Sequence, residues 1–176
     1  MYYRTRTYLA GDWDGDNNLI STIQKWNHGE RWELSFSDAH DLMQARDSSF
    51  PCSIKKSLSQ RLDGSNTFVL IVGNKTKEVT KGSCQHCDRY SAYTRKCTNN
   101  GYTDYRSFVE YECEKAARAA SNGLMRIIVI YNYTRVYKEK CPEPVRYMGI
   151  HIPGILYYDD GSISWNYNAI KKAIMG

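Results

Sequence analysis

Two predominantly apolar runs constrain the fold of this chain more than any other feature. Residues 67–72 read TFVLIV and residues 125–131 read MRIIVIY, without regular alternation of polar and apolar side chains. A strand that is apolar on both faces is typical of a parallel sheet that helices cover on either side. The chain is therefore predicted to be an α/β protein.

Shorter patterns around these two runs predict the other elements. β-Branched and aromatic residues indicate strands, and apolar residues at helical spacing indicate helices. The predicted strands are at 5–10, 31–36, 67–72, 125–131 and 150–157, and the predicted helices at 19–26, 53–62, 105–120 and 165–174. This order predicts a flavodoxin-like, doubly wound, mostly parallel five-stranded sheet with helices on both faces. Ligands of such sheets bind beyond the carboxyl ends of the strands, which are here at 10–13, 37–38, 73–74 and 131–132.

Length and charge narrow the class of protein. The 176 residues fit one domain, 1–176, with a Cys- and Tyr-rich insertion at about 75–104. The net charge of +5 is mild and its basic residues are scattered, which favours a small anionic ligand over nucleic acid. No apolar run approaches the ~20 residues of a membrane span, and the opening MYYRTRT lacks the apolar stretch of a signal peptide. We therefore expect a cytoplasmic protein that binds neither nucleic acid nor a membrane.

The insertion carries a cysteine pattern with two interpretations. Cys84-Gln85-His86-Cys87 and Cys97 supply ligand types that suit structural zinc, although the second half of a zinc motif is missing. The alternative is a set of free thiols, because cytoplasmic cysteines are usually reduced. A catalytic cysteine is disfavoured, since no pattern of His and Asp supports it. We predict no metal, with Cys84, Cys87 and Cys97 as the zinc candidates.

Polar loops follow the first two predicted strands. The first loop, GDWDGD at 11–16, has oxygen ligands for a divalent cation but lacks the spacing of a calcium loop. The second contains His40 between two aspartates, either as part of a catalytic pair or as a hydrogen-bonded structural residue. Neither GxGxxG nor GxxxxGK[ST] occurs, so the motifs do not support an ordinary dinucleotide fold or a P-loop.

The helix at 105–120 places a carboxylate where apolar side chains are expected. One face of this helix carries Phe108, Val109, Glu112, Cys113, Ala116, Ala117 and Ala120. An ionised carboxylate that faces a core is unfavourable unless another group pairs with it. Glu112 is therefore either a hydrogen-bonded glutamate at the edge of the stripe or a functional acid that faces a cleft.

Several stretches between the N-terminus and this helix resemble one protein family. They read TYLAGDWDGD, LSFSDAHDL, ARDSS, CSIKKSL, TFVLIVG, SCQHC and YRSFVEYECEKA. Together they resemble the TIR-like proteins of the ThsB type, which belong to the Thoeris anti-phage defence system. The resemblance implies the TIR-like variant of the flavodoxin-like fold.

The resemblance also implies which residues carry the chemistry. TIR enzymes that cleave NAD⁺ have the pattern S-x-W-C-x-x-E, whose glutamate contacts the nicotinamide ribose. Glu112 takes the place of that glutamate, and Phe108 stands at the Trp position. The implied substrate site consists of Ala10, Gly11, Asp12, Trp13, Asp38, His40, Asn74, Ser107 and Phe108, with Glu112 as the catalytic residue.

The implied activity uses NAD⁺ as a substrate and needs no cofactor. The nicotinamide–ribose bond would be cleaved, and the ADP-ribose would be closed into a cyclic ADP-ribose isomer. This diffusible nucleotide would activate a partner effector protein. The resemblance further implies a phage-derived trigger and self-association, in which the loop at 38–49 contacts the active site of a neighbouring protomer.

Two other functions are compatible with the same fold. A non-catalytic TIR-like sensor or scaffold that binds a nucleotide or a protein is favoured by Arg106, Phe108 and Val109, which depart from the catalytic pattern. A phosphoacceptor domain of the response-regulator kind would need an aspartate at the end of a central strand. The third strand ends in Gly73-Asn74, which disfavours that reading.

Overall fold

The computed structural model describes residues 5–29, 34–38 and 50–176. The elements of its first half are β1 (Thr5–Ala10), α1 (Asn17–His28), β2 (Phe36–Asp38), α2 (Pro51–Asp63), β3 (Thr67–Val72), β4 (Tyr90–Ser91) and β5 (Lys96–Cys97). Those of its second half are α3 (Phe108–Ser121), β6 (Arg126–Tyr131), β7 (Ile150–Pro153), β8 (Ile155–Tyr157), β9 (Ile163–Trp165) and α4 (Tyr167–Met175).

Five parallel strands form the main sheet, in the order β2-β1-β3-β6-β7. In this sheet β2 lies on one side of β1, whereas β3, β6 and β7 lie on the other side. The strand order therefore reverses between β1 and β3. This is the flavodoxin-like order. The predicted α/β fold with a doubly wound, parallel five-stranded sheet is confirmed.

Each face of the sheet has its own apolar core. Alternate residues of β3 point to opposite faces, so that Phe68, Leu70 and Val72 pack with α2 and α3 while Val69 and Ile71 pack with α1 and α4. All six residues of β3 are buried. The burial on both faces that the TFVLIV run predicts is therefore present.

Helix α3 begins with a capping box. The Ser107 hydroxyl accepts a hydrogen bond from the Glu110 backbone N–H, and the Glu110 carboxylate accepts one from the Ser107 N–H. The helix consequently begins at Phe108, three residues later than its apolar periodicity indicates. Its buried stripe comprises Val109, Glu112, Cys113 and Ala116.

The structure departs from the predicted elements in two places. The predicted strand at 31–36 overlaps residues outside the described part, and β2 extends through Asp38, which the prediction assigned to a loop. The predicted strand at 150–157 is divided at Gly154 into β7 and β8, and β8 pairs with β9 in a hairpin. Gly154 permits the division because its N–H bonds the Tyr131 carbonyl at 2.6 Å, an approach that leaves no room for a side chain. Trp165 therefore ends β9 instead of beginning the last helix.

The segment between β3 and α3 contains the β4–β5 hairpin, in which Tyr90 pairs with Cys97. A backbone hydrogen bond of 2.9 Å from the Cys84 N–H to the Asp104 carbonyl closes the part of this segment that contains the hairpin. Within the described ranges, no helix has the length and apolar character that crossing a membrane requires.

Candidate active site

Glu112 lies inside the protein and forms a hydrogen bond with Tyr8. Helix α3 presents Glu112 in its second turn toward β1, where the Tyr8 hydroxyl donates a short hydrogen bond to Oε1. Glu112 is only 3% exposed and Tyr8 is fully buried. The sequence-based placement of Glu112 on a buried stripe is confirmed, and the hydrogen bond supplies one of the compensating contacts that such a carboxylate requires.

Burial dominates the protonation chemistry of this pair. It raises the pKa of Glu112 to about 7, although the hydrogen bond from Tyr8 acts in the opposite direction. Burial, followed by the charge and hydrogen bond of Glu112, also raises the pKa of Tyr8 well above its ordinary range. Tyr8 therefore remains a hydroxyl, and hence a donor, over the pH range in which Glu112 titrates.

Apolar groups surround the pair. The Tyr8 ring stacks on Phe68 with ring centroids 6.0 Å apart, and the stripe neighbours Val109 and Cys113 belong to the same core cluster. Burial raises the pKa of the Cys113 thiol well above its ordinary range, and the negative charge of Glu112 raises it further. Glu112 thus lies among groups that disfavour its ionised form.

A second buried carboxylate, Asp16, joins the carboxyl ends of three strands. Its Oδ2 accepts a hydrogen bond of 3.1 Å from the Thr76 hydroxyl, and its Oδ1 accepts one of 2.9 Å from Asn132 Nδ2. The Thr76 hydroxyl in turn accepts the Gly73 N–H at 2.7 Å. Asp16 follows β1, Thr76 follows β3 and Asn132 follows β6, so the cluster occupies the edge where the strand order reverses. Burial raises the pKa of Asp16, and the bonds from Asn132 and Thr76 oppose that increase.

The predicted residues after β1 form a tight loop that leads into α1. Ala10 is buried at the end of β1, and Gly11 packs closely against Ile20 and Ile71. The Asp12 carbonyl accepts the Asp16 N–H at 2.7 Å, and the Asp12 carboxylate accepts a backbone N–H of the same loop. Trp13 packs on the core beneath α1 and α4.

The sheet separates two of the predicted acidic residues. Asp38 ends β2 on the face covered by α1, where its Oδ2 accepts a hydrogen bond of 3.1 Å from Gln24. Glu112 and Tyr8 lie on the face covered by α2 and α3. Asp38 and Trp13 therefore approach the carboxyl edge from the side opposite Glu112. His40 and residues 39–49 of the predicted loop lie outside the described residues.

The remaining predicted substrate residues lie near the beginning of α3 or beyond β3. Asn74 is exposed, and its Oδ1 accepts hydrogen bonds from the Tyr133 hydroxyl at 3.3 Å and from Lys140 Nζ at 3.1 Å. Ser107 is the buried N-cap of α3. The Phe108 ring covers Gly82, where an added Cβ would come within 2.5 Å of the ring at a φ of +99°. Ser107, Phe108 and Glu112 thus share one helix end, whereas Asn74 is bound to the segment after β6.

An ion-pair network anchors that end of α3. Arg106 donates to both oxygens of Asp104, at 2.9 and 2.8 Å, and to Glu114 at 2.6 Å. The buried Lys55 Nζ lies 3.3 Å from Asp104 Oδ2 and donates to the Arg106 carbonyl at 2.6 Å. Burial alone would raise the pKa of Asp104, but hydrogen bonds from Arg106 and the charge of Lys55 outweigh it and lower the pKa. The network fixes α3 against α2.

The cysteines of the insertion remain free thiols. In the part of the chain that the structure describes, no three His, Cys, Asp or Glu side chains are grouped to hold a metal ion. The Cys84 sulfur instead accepts the Asp104 N–H at 3.3 Å. Cys84, Cys87 and Cys97 thus have no described partners that would complete a zinc site.

A comparison with protein families identifies the fold's relatives. Residues 8–81 match the family model described as Thoeris protein ThsB, TIR-like domain. Over this range, which is less than half of the chain, the chain is similar to the ThsB TIR-like family. The resemblance seen in the sequence is thereby confirmed, and the match supports a defence-related TIR-like domain. A comparison with curated proteins found no match.

The ThsB TIR-like match covers one part of the candidate site. It includes Tyr8, the loop after β1, Asp38 and Asn74, and it ends in the insertion before α3 begins. Glu112 consequently lies outside the matched range. The role of Glu112 is therefore a proposal that depends on its own geometry.

The sequence analysis did not name Tyr8 or Thr76 as site residues, and it placed Asn132 only at the end of a strand. In the sequence, Asp16 belonged to the acidic loop at 11–16; in the structure it is the N-cap of α1, although its carboxylate forms no cap hydrogen bond. The available signal was the placement of polar residues directly after three predicted strands, at 11–16, 73–76 and 132. Polar residues at successive strand ends converge on one edge of a parallel sheet.

Proposed function

We propose that this TIR-like protein is a defence signalling enzyme that cleaves NAD⁺ at the nicotinamide–ribose bond. The ADP-ribose would then be closed into a cyclic isomer that diffuses to a partner effector and activates it. The observation that carries the proposal is the buried Glu112, an acid with a pKa of about 7 on the helix face that points to β1. Burying an ionisable acid in a core is unfavourable, and acids whose pKa is shifted in this way are concentrated at functional sites.

The chemistry requires little beyond a well-placed carboxylate. When the C1′–N bond breaks, nicotinamide leaves as a neutral pyridine with the bonding electron pair, and positive charge develops on the ribose ring. The Glu112 carboxylate would stabilise that charge across the ribose hydroxyls. A hydroxyl of the same ADP-ribose would attack C1′ and release its proton to the carboxylate, so that cyclisation consumes no water. Exclusion of water from this apolar site would favour ring closure over hydrolysis.

Access to Glu112 is part of the proposal. Because Glu112 is 3% exposed, NAD⁺ can reach it only after the protein opens at the carboxyl edge of the sheet. We assign that opening to the phage-derived trigger and to self-association, and we place the protein and its effector together in the cytoplasm. Ala10, Gly11, Asp12 and Trp13 would line the opened cleft, together with Asp38, His40, Asn74, Ser107 and Phe108.

Product analysis tests the enzymatic proposal. The purified protein is incubated with NAD⁺, with and without lysate from phage-infected cells, and nicotinamide and cyclic nucleotides are separated by chromatography and identified by mass. We expect product from the wild type and none from Glu112→Gln. Glu143→Gln, which removes an exposed carboxylate that is not among the candidate-site residues, should behave as the wild type. Full activity of Glu112→Gln would exclude the role assigned to this residue.

The closed environment of Glu112 also favours a second candidate, a non-catalytic sensor or scaffold. The groove of about 1000 Å³ between α2, α3 and the insertion is lined by residues such as Lys55, Arg106 and Tyr111, and Glu112 is not among its described lining residues. A scaffold would bind NAD⁺ or ADP-ribose without turnover. Calorimetric binding with no product in the chromatographic assay, even with infected lysate, would favour this candidate.

A further inference from the structure

The position of Tyr8 in the sheet fixes the direction of its hydroxyl toward the Glu112 carboxylate. It lies in the middle of β1, a strand that pairs with β2 on one side and with β3 on the other. Its register partner in β3 is Phe68. The stack of 6.0 Å on the Phe68 ring restricts the direction in which its hydroxyl points. That hydroxyl donates to Glu112 Oε1 from a residue 104 positions earlier in the chain.

In the hydrogen bond between Tyr8 and ionised Glu112, the tyrosine hydroxyl must be the donor. An ionised carboxylate has only acceptor atoms, so a hydroxyl beside it must donate. Hydrogen bonds to an ionised group are stronger than those between neutral groups, and they favour the charged form of the acceptor. Tyr8 therefore opposes the effect of burial, which favours the protonated form of Glu112.

We propose that Tyr8 is a positioning residue for Glu112, whose hydroxyl orients the carboxylate and keeps a catalytically useful share of it ionised at neutral pH. This inference rests on the proposed NAD⁺ cleavage at the same site. Without the hydroxyl, the acid would be protonated at the pH where the enzyme has to stabilise a positively charged ribose. Tyr8 itself touches no reacting atom in this assignment.

Other titratable groups near the pair leave this assignment intact. From α2, the Arg61 charge acts on the Tyr8 hydroxyl, and from β2 the Asp38 charge acts on it with the opposite sign. From α3, the thiol of Cys113 adjoins Glu112, and Cys141 acts electrostatically on Cys113. Of these groups, the Tyr8 hydroxyl is the one whose hydrogen bond to Glu112 lowers the pKa of that carboxyl.

The experiment compares Tyr8→Phe with Tyr131→Phe. Both changes remove one hydroxyl from a fully buried tyrosine of the same core cluster, but the Tyr131 hydroxyl bonds His151 at 2.9 Å. The pKa of Glu112 is measured in each protein by carbon-13 NMR of the labelled glutamate carboxyl, which requires no activity. Nicotinamide release is measured in parallel as a function of pH, with kcat and KM separated.

We expect Tyr8→Phe to raise the pKa of Glu112 by about one pH unit, while Tyr131→Phe leaves it at the wild-type value. The rising limb of kcat for Tyr8→Phe should move to higher pH by the same amount, so that activity is about fivefold lower at pH 7 and recovers above pH 9. Incorporation of the more acidic 3-fluorotyrosine at position 8 should shift both quantities to lower pH and provides the test if Tyr8→Phe fails to fold.

The outcomes separate this inference from the proposed function. An unchanged pKa of Glu112 in Tyr8→Phe and in the fluorotyrosine protein overturns the positioning role. A second outcome also overturns the positioning role: Tyr8→Phe changes the pKa of Glu112 but leaves the pH profile of kcat where it was, although Glu112→Gln abolishes activity. Tyr8 would then be a structural residue only. Full activity of Glu112→Gln instead removes the proposed function of Glu112 and the catalytic part of the inference with it.

Discussion

The buried Glu112 makes the stability of this protein depend on pH. In the folded chain the pKa of Glu112 is about 7, compared with 4.5 for an ordinary glutamate. The folded state therefore binds the proton more tightly than the unfolded state does. This group stabilises the fold fully below about pH 4.5, and its contribution is lost as the pH rises through about 7.

Glu112→Gln isolates this contribution. The neutral amide can still accept the Tyr8 hydrogen bond through its oxygen, but it cannot ionise. Between pH 4.5 and 8 the free energy of unfolding of the wild type should fall by about 3 kcal/mol more than that of the variant. Urea unfolding at several pH values measures both. Parallel pH profiles for the two proteins would contradict the assignment.

Asp16 offers a second prediction for an individual residue. Asp16→Asn replaces one carboxylate oxygen by an NH₂ group, which then faces a donor, either the Thr76 hydroxyl or Asn132 Nδ2. The loss should be about 1–3 kcal/mol in the free energy of unfolding. Asp14→Asn changes an exposed residue of the same loop and should cost about 0.5 kcal/mol or less. Chemical denaturation of both variants provides the comparison.

Among the elements, α3 connects the sequence to the candidate site most directly. Its position depends on the Ser107–Glu110 capping box at its beginning and on the bonds that Arg106 forms with Asp104 and Glu114. These contacts fix the first two turns, which contain Glu112. They therefore hold the part of the helix that turns Glu112 toward β1, where Tyr8 donates to its carboxylate.

Ser107→Ala tests the capping box. It leaves the Glu110 N–H without its side-chain acceptor, and we expect a loss of about 1 kcal/mol. Ser121→Ala, at the exposed last residue of the same helix, is the matched control and should be close to neutral. Thermal unfolding distinguishes the two. Equal effects would show that the cap contributes no more than an ordinary surface serine.

The sequence was most informative where local pattern determines structure. Periodicity located the buried strands and the stripe with Glu112, because burial imposes spacing on neighbouring residues. It could not locate the β8–β9 hairpin, since Pro153 and Gly154 break the pattern at the very point where the chain leaves the sheet. Thr76 and Asn132, which bind Asp16, lie 60 and 116 residues away from it, and Tyr8, which binds Glu112, lies 104 residues away. No local pattern encodes such contacts.

At the scale of the whole molecule, the parts of the candidate site are distributed over both faces of the sheet and its carboxyl edge. The sheet places Glu112 on one face and Asp38 on the other, and Asp16 binds the segments after β1, β3 and β6 at the edge between them. A ligand at this edge would touch loops from several strands, as ligands of flavodoxin-like sheets do.

Gly73 tests how tightly this edge is packed. A Cβ at Gly73 would lie 1.7 Å from Asp16 Oδ1, so Gly73→Ala must displace the carboxylate from its partners. We expect a loss of more than about 2 kcal/mol in the free energy of unfolding. At Gly15 an added Cβ meets only the mobile end of the Asp12 side chain, and Gly15→Ala should cost much less. If the two substitutions destabilise equally in urea, the edge is not rigidly packed.

The distance along the chain between Tyr8 and Glu112 has a consequence during synthesis. A ribosome makes the strand that carries the hydroxyl long before it makes the helix that carries the acid, since 104 residues separate them. Under the proposed activity, a chain that ends before residue 112 would not consume NAD⁺, because it lacks the acid.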